Sequence, residues 1–262
     1  MELREVIGRR RSIRFLLPHK PVELNKIQRM LEAARIASHW GNVNSLRAIV
    51  IERDKAPKEV LDALPSPVGG YQIQLAPIII VWYLETACTD HIGTRLRELL
   101  AAGAIGYGPN KETALEKTLV PIMENAGDAL KMPGLSEVDC GQGIAQATLM
   151  AFEQGLGTCC LGSGDPDGIR RKLGLPDTCR TLVTQTVGYP AEDPRAGGQR
   201  PRLPFETLFQ LNGYDNPFPR SPEVVEELQG DGMLQDHAPL PWREAELEYL
   251  RRALNLKGEG LI

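Results

Sequence analysis

Hydrophobic residues along this chain recur at helical spacing in some segments and form short β-branched runs in others. Between residues 24 and 37 the apolar positions are three or four apart, which predicts an amphipathic helix. The apolar run 78–83, rich in β-branched residues, is typical of a central strand. The same reasoning predicts further strands at 47–52, 157–164 and 181–187, and helices at 55–64, after Asp165, at 222–228 and at 243–254.

The segment 143–154 differs from the other predicted helices because it is small or apolar on nearly every face. Its one charged residue is Glu153, and Gly155 is placed to end the helix. A helix that is apolar all round has to be covered on all sides. We therefore expect a core helix or a helix at a subunit interface.

Residues 87–137 form the segment whose pattern is hardest to interpret. Helices are predicted at 92–102 and 111–131, with several glycines between them, and Pro121 should kink or split the second helix. Glycine-rich joints between helices suit a mobile lid, and they suit a plain surface insertion equally well. Both interpretations stay open on the sequence.

The order of the predicted elements indicates an α+β fold in which helices flank a mixed sheet. Residues 1–214 are expected to form the main domain, with 87–137 as a helical lid insert. Residues 215–262 are polar and contain too few apolar residues for a core of their own. We expect this C-terminal extension to wrap over the main domain or over a partner subunit.

Composition narrows the class of protein. The chain has 262 residues, of which 42% are hydrophobic and 24% charged, as in ordinary globular proteins. The net charge of -4 argues against a nucleic-acid partner. Without a long apolar run or an apolar N-terminal segment, we expect a cytoplasmic protein with no membrane partner. Five cysteines without a CxxC pair and four scattered histidines predict neither disulfides nor a metal site.

The segment Arg10-Arg11-Ser12-Ile13-Arg14-Phe15 holds the strongest candidate chemistry. In an extended chain Arg10, Ser12 and Arg14 share one face, while Ile13 and Phe15 point into a core. Two guanidinium groups flanking a hydroxyl suit a phosphate. Far downstream, Arg200-Pro201-Arg202 repeats the spacing of two. Both arrays suit a phosphorylated cofactor, and the ordinary alternative is a solvated run of charges.

Four sequence blocks resemble the FMN-dependent nitroreductase family, over roughly residues 4–53 and 139–210. The first is the arginine segment, similar to the family's Arg-x-Ser-x-Arg/Lys. The others are the helix to Ala37 with Ser38-His39-Trp40-Gly41-Asn42; Asp139-Cys140-Gly141 through Ala151 with Gly155-Leu156-Gly157; and Leu173-Gly174-Leu175-Pro176, Val187-Gly188-Tyr189-Pro190 and Arg200-Pro201-Arg202-Leu203-Pro204.

The resemblance implies a homodimer whose central helix is 143–154 and whose two FMN sites lie at the subunit interface. Arg10 and Arg202, with Arg200, would bind the FMN phosphate, and Arg11 of the same block is counted with the cofactor-binding residues. Ser12 and Arg14 would contact the pyrimidine edge or ribityl chain, and Asn42 would reach the flavin from the other subunit. The loop Cys160-Leu161-Gly162-Ser163 would present its backbone to flavin N5 and O4.

One departure from the family pattern lies around Asn42. The family often has Pro-Ser-x-x-Asn-x-Gln-Pro-Trp there, whereas this chain has Ser38-His39-Trp40-Gly41-Asn42-Val43-Asn44-Ser45-Leu46. His39 stands where a serine is common, and the Gln-Pro-Trp signature is lost. This change indicates a remodelled substrate side.

The activity implied by the resemblance is an FMN-dependent NAD(P)H oxidoreductase. Hydride would pass through flavin N5 in a ping-pong cycle to a nitroaromatic, a quinone or a similar acceptor. Arg14 would support reduction electrostatically, and no side chain is expected to act as a catalytic residue. The alternatives are a reductive dehalogenase or a flavin-fragmenting enzyme on the same scaffold, a non-catalytic FMN-binding sensor, and a protein for a different phosphorylated ligand.

Overall fold

A four-stranded sheet organises the chain, seen here in a computed structural model that describes residues 1–65 and 68–257. The strands are β1 (Leu46–Glu52), β2 (Ile78–Glu85), β3 (Gly157–Leu161) and β4 (Cys179–Gly188), in the order β1-β2-β4-β3. Neighbouring strands pair antiparallel. An isolated parallel bridge joins Ser12 to Thr158 beside β3, outside the four strands, whose pairing is antiparallel throughout.

Helices cover both faces of the sheet. Their bounds are α1 (Leu3–Arg9), α2 (Leu24–Arg35), α3 (Lys58–Leu61), α4 (Tyr71–Leu75), α5 (Ile92–Ala101), α6 (Lys111–Ala114), α7 (Val120–Asn125), α8 (Gly127–Lys131), α9 (Leu135–Glu153), α10 (Pro166–Lys172), α11 (Phe205–Leu208), α12 (Pro222–Gly230) and α13 (Arg243–Ala253). The predicted α+β class is thereby confirmed. The sequence analysis missed α1, α4 and α11, which are too short to show a period.

Strand β2 separates two hydrophobic cores because its successive side chains point to opposite faces. Ile78, Ile80 and Trp82 pack with α2 and α9 on one face. Ile79 and Val81 face the other core, which includes side chains of the arginine segment and of α13. Burial on both faces explains the continuous apolar run of this central strand.

Helix α9 begins eight residues before the predicted start, at Leu135. The Glu137 carboxylate accepts a hydrogen bond from the Gly134 N–H at 2.7 Å, which stabilises this earlier start. One face of the helix packs closely on α2, where a Cβ at Gly143 would lie 3.2 Å from the Ala34 carbonyl. The opposite face stays open in the single chain, with Val138 63% exposed. The dimer interface remains a prediction.

The insert is built as predicted from broken helices. Residues 111–131 divide into α6, a π-helical turn at Leu115–Leu119, α7 and α8. Pro121 lies in the first turn of α7, where its missing N–H costs little. A small core that includes Val43, Ile92 and Val120 joins this insert to the turn around Asn42.

The C-terminal extension packs back onto the main domain. Leu250 of α13 is 2% exposed within the core on one face of the sheet. Glu227 of α12 and Asp231, the residue that follows this helix, form ion pairs with Arg4 of α1. A side chain at Gly8 would collide with the Met233 backbone, so the two segments touch closely. The last part of the extension, residues 258–262, lies outside the described residues.

Candidate functional site

The arginine segment is held in an extended conformation along β3. The Ile13 N–H donates to the Thr158 carbonyl at 2.9 Å. Ile13 and Phe15 are buried in the core. Arg10, Ser12 and Arg14 are half-buried on the other face. The side chains of this segment therefore alternate between its two faces, as predicted.

Arg11 departs from its predicted role, because the same alternation turns it inward with Ile13. It is 5% exposed, and its guanidinium donates to the carbonyls of Gly8 at 2.6 Å and Gly198 at 3.1 Å. A third bond, to the Gln235 side chain at 3.0 Å, reaches the C-terminal extension. These donors are directed at the protein, so Arg11 fixes the walls of the site instead of offering its N–H groups to a ligand.

Five of the predicted residues line a common cavity of about 600 Å³: Arg10, Arg11, Ser12, Arg200 and Arg202. None of the described residues that line this cavity is an aspartate or a glutamate. Within the described part of the chain, these arginines and the neighbouring Arg14 form no ion pair with a carboxylate. Converging cations without counter-ions favour a bound anion.

The pKa values of the arginines reflect this accumulation of positive charge. Burial lowers the pKa of Arg200, and the nearby charges of Arg14 and Arg243 lower it further. Burial likewise lowers the pKa of Arg11, with added repulsion from Arg10, Arg200 and Arg202. An anion in the cavity would relieve this repulsion.

The predicted loop 160–163 begins inside β3, since Cys160 and Leu161 are the last two residues of that strand. Leu161 is 8% exposed and packs in the core, so it can offer only its backbone. Ser163 Oγ accepts a hydrogen bond from the Asp165 N–H at 3.0 Å. A Cβ at Gly162 would have no atom within 4 Å, so the fold itself does not require glycine there. The space in front of this backbone is free for a flat ligand.

Cys159 and Cys160 differ in their exposure to solvent. Cys159 is buried, whereas Cys160 is exposed at the surface of the loop. Surrounding protein atoms nevertheless crowd the Cys160 thiol, and this burial of the thiolate raises its pKa to about 11.

Asn42 is the predicted residue that the single chain does not bring to the arginines. It lies in a 3₁₀ turn, Trp40–Asn42, and its carbonyl accepts a hydrogen bond from the Asn44 amide at 2.6 Å. None of residues 39–46 lines the arginine cavity. The expected contact of Asn42 with a flavin therefore requires a second copy of the chain.

His39, next to this turn, is half-buried, and its Nδ1 has no hydrogen-bond partner among the described residues. Burial lowers its pKa, although the Asp139 carboxylate raises it and Arg47 lowers it further. Asp139 accepts a hydrogen bond from the Trp40 N–H at 2.6 Å. The turn that carries Asn42 is thus anchored on α9.

Two residues that shape the site escaped the sequence analysis. One oxygen of Glu192 accepts hydrogen bonds from the N–H groups of Arg14 at 2.6 Å and Phe15 at 3.1 Å. The other oxygen lies 2.6 Å from the Arg243 guanidinium. A lone glutamate after a strand carries no periodic signal, so its role depends on contacts that only the fold reveals.

The described residues contain neither a cluster of metal-binding side chains nor a helix that could cross a membrane. In residues 1–65 and 68–257, no group of three or more His, Cys, Asp and Glu side chains is placed to hold a metal ion. Across the same ranges, every helix is too short or too polar to cross a bilayer. The arginine cavity and the adjoining loop remain the candidate functional site.

Comparison with known proteins gives an independent result. The sequence model described as "Nitroreductase family" matches residues 7–189. An NADH dehydrogenase from Thermus thermophilus is 30% identical over 202 residues, which cover 76% of this chain and 91% of the relative. A protein from Exiguobacterium sibiricum, provisionally assigned as a nitroreductase and solved in complex with FMN, shares the fold with a TM-score of 0.64 and 19% identity. That alignment covers 81% of this chain and 98% of the other.

A further structure with this fold is provisionally assigned as an NAD(P)H:FMN oxidoreductase and comes from Staphylococcus epidermidis. Its TM-score is 0.66 at 16% identity, and the match covers 80% of this chain and 95% of the other. Each match therefore covers almost the whole of the solved structure, and about a fifth of the present chain lies outside it.

Proposed function

The chain belongs to the nitroreductase family, and we propose that it is an FMN-dependent NAD(P)H oxidoreductase. The observation that carries this proposal is the cavity in which Arg10, Arg200 and Arg202 converge with no carboxylate in its described lining. The printed names of the relatives agree, since they include an NADH dehydrogenase and a fold neighbour solved with FMN.

The residues of the cavity fit the phosphate of FMN. Arg10, Arg200 and Arg202 offer guanidinium donors that no described carboxylate occupies. Ser12 adds a hydroxyl at the same wall, on the segment that β3 holds in place. Charge-assisted hydrogen bonds from several guanidiniums are the strongest contacts a protein makes with a phosphate.

The isoalloxazine ring would lie over the adjoining loop. Space for it exists at Gly162, where a Cβ would meet no atom within 4 Å. Arg14 lies beside the start of this loop, since its charge acts on Cys159. We assign Arg14 to the pyrimidine edge, where its positive charge would favour the anionic reduced form of the ring.

When bound, FMN supplies the hydride chemistry at its N5 position, which no amino-acid side chain can perform. The chain contributes binding, orientation and electrostatics. The backbone of Gly162 and Ser163 would hold the ring edge, and Arg14 would stabilise negative charge on it. Glu192 fixes the backbone of Arg14 through the 2.6 Å hydrogen bond, and the Arg14 guanidinium donates to the Ser12 carbonyl at 3.3 Å.

The open face of α9 supports a homodimer, which would bring Asn42 of one copy to the flavin of the other. Val138 and Leu135 on this face are 63% and 48% exposed. Donor and acceptor would then use one cleft in turn, with a nitroaromatic, a quinone or a similar compound as acceptor. This ordering accounts for the lack of a separate GxGxxG nucleotide motif in the sequence.

The test is the visible absorption spectrum of the purified protein, followed by anaerobic titration with NADPH and with NADH. We expect flavin bands that bleach on titration and return when menadione or nitrofurazone is added. A colourless protein that cannot be loaded with FMN would refute the cofactor assignment. A protein that binds FMN without bleaching would instead favour the non-catalytic flavin-binding alternative.

A further inference from the structure

The arginine cavity continues beyond the proposed phosphate site and runs under the C-terminal extension. Its lining also includes Phe205 and Phe209, in and directly after α11, and Val225 and Gln229 of α12. All of these residues follow residue 189, where the match to the family ends. This half of the cavity is therefore built by a part of the chain outside the family match.

The positive charge of the cavity exceeds what one phosphate would neutralise. Five arginines line it, at positions 10, 11, 200, 202 and 220, against no described carboxylate. A phosphate monoester carries only about -1.5 to -2 charges at pH 7. Arg11 is hydrogen-bonded to carbonyls yet keeps its charge. The surplus points to a second anionic group in the same cavity.

Arg220 is the cation best placed for this second group. It lies on the wall provided by the extension and forms no ion pair within the described chain. Its guanidinium carbon is 5.6 Å from the centre of the Phe205 ring, so an aromatic surface adjoins it. A guanidinium next to an aromatic face can bind a phosphate and an attached ring together.

The aromatic wall offers flat apolar surface next to that charge. The rings of Phe205 and Phe209 are 4.8 Å apart, and Phe209 is 50% exposed. Stacking on such rings suits a nucleobase. The Gln229 side chain forms no hydrogen bond with the described residues, which leaves its amide free for a base edge.

We propose that this half of the cavity binds an adenosine phosphate group, with its phosphate on Arg220 and its base against Phe205 and Phe209. This inference rests on the proposed function, which assigns the phosphate of FMN to Arg10, Arg200 and Arg202. Two sources share this chemistry. One is the adenylate half of the NAD(P)H donor, and the other is a free adenine nucleotide that acts as a regulator.

The test is calorimetric titration of the FMN-saturated protein with 5′-ADP. We expect saturable binding that Arg220→Gln weakens by about tenfold or more, because a charge-assisted contact is lost. Phe209→Ala should weaken it as well, whereas Arg29→Gln on α2 should change nothing. Arg220 and Phe209 are both exposed, so these variants should fold. Absence of ADP binding, or equal binding by wild type and both cavity variants, would overturn the proposal.

Rapid-mixing reduction by NADPH separates the two sources. If the site holds the donor's adenylate, ADP will raise the NADPH concentration needed for half-maximal reduction and leave the limiting rate unchanged. If the site holds a free nucleotide, ADP will bind without competing with NADPH. Flavin loading is recorded on the same samples. Failure of the proposed function would show as lost FMN loading or bleaching, and failure of this inference as lost ADP binding alone.

Discussion

Glu192 and Arg243 form an ion pair in the interior that joins the C-terminal extension to the segment of Arg14. The carboxylate and guanidinium are 2.6 Å apart, and their side chains are 0% and 11% exposed. The same carboxylate accepts the backbone N–H groups of Arg14 and Phe15. The backbone position of Arg14, the candidate flavin contact, therefore depends on Arg243 of α13, which lies more than 200 residues further along the chain.

Arg243→Met should destabilise the protein strongly. Without the Arg243 guanidinium, the buried Glu192 carboxylate has no positive charge beside it. Loss of one partner of a buried ion pair typically lowers the free energy of unfolding by about 3–5 kcal/mol. Urea unfolding measures this loss. The matched control is Arg251→Met on the same helix, whose pair with Glu248 is about half exposed and should contribute much less to stability. Equal losses in the two variants would contradict a structural role for the buried pair.

Arg202→Gln should weaken FMN binding while leaving stability almost unchanged. Arg202 is exposed, and its guanidinium donates only to the Pro201 carbonyl at 3.0 Å within the described chain. Loss of a charge-assisted phosphate contact should raise the FMN dissociation constant about tenfold or more. Fluorescence titration of the apoprotein with FMN measures it, with Arg29→Gln as the control. An unchanged constant would remove Arg202 from the phosphate site.

Two glycine substitutions should separate folding from flavin binding. A Cβ at Gly162 meets no atom, so Gly162→Ala should fold normally and bind FMN less tightly. A Cβ at Gly157 would lie 2.7 Å from the Ile13 Cβ, so Gly157→Ala should lower unfolding free energy by about 1–3 kcal/mol. Thermal unfolding and FMN titration of both proteins supply the comparison. Normal FMN affinity in Gly162→Ala would place the ring elsewhere.

Alkylation of Cys160 should depend steeply on pH and on FMN. The other four cysteines are buried, and the Cys160 pKa is raised to about 11 by burial. Because the thiolate reacts, the iodoacetamide rate should rise about tenfold per pH unit from about pH 7 to pH 10. Peptide mass spectrometry locates the label, and Cys160→Ser is the control. Bound FMN should slow the reaction, and equal rates with and without FMN would argue against a flavin at this loop.

His39 should make the protein less stable as the pH falls. Its pKa in the folded state lies below the ordinary value of 6.5 because of burial. Below pH 6.5 the unfolded chain therefore takes up the proton more readily than the folded chain. The contribution of His39 to the free energy of unfolding is fully present at higher pH. It is lost as the pH falls from 6.5 towards the pKa that His39 has in the folded state. Urea unfolding of wild type and His39→Gln across this range should show a shallower pH slope in the variant.

The sequence predicted the elements whose hydrophobic period is strong. Strand β2 and helix α2 lie within two residues of their predicted ends because apolar side chains mark every turn or pleat. The first eight residues of α9 were missed, since Asp139 and Gly141 interrupt the apolar pattern there. Short helices such as α1 offer too few turns for a period to emerge.

The candidate site was predictable only where its residues share local spacing. Alternation placed Ile13 and Phe15 in the core and Ser12 and Arg14 on the other face. The same alternation turns Arg11 inward, where its guanidinium donates to backbone carbonyls, and its assignment to the cofactor stays a prediction. The Glu192–Arg243 pair depends on residues 51 positions apart approaching in the fold, and no local pattern signals such an approach.

The close contact between Gly8 and the Met233 backbone has a consequence for how the chain responds to perturbation. Helix α1 leads directly into the arginine segment, and Met233 lines the same cavity as that segment. Backbones packed this tightly transmit displacement, since neither has a compressible side chain between them. A fusion partner or a surface tether that displaces α1 at the N-terminus would therefore also displace residues that line the arginine cavity.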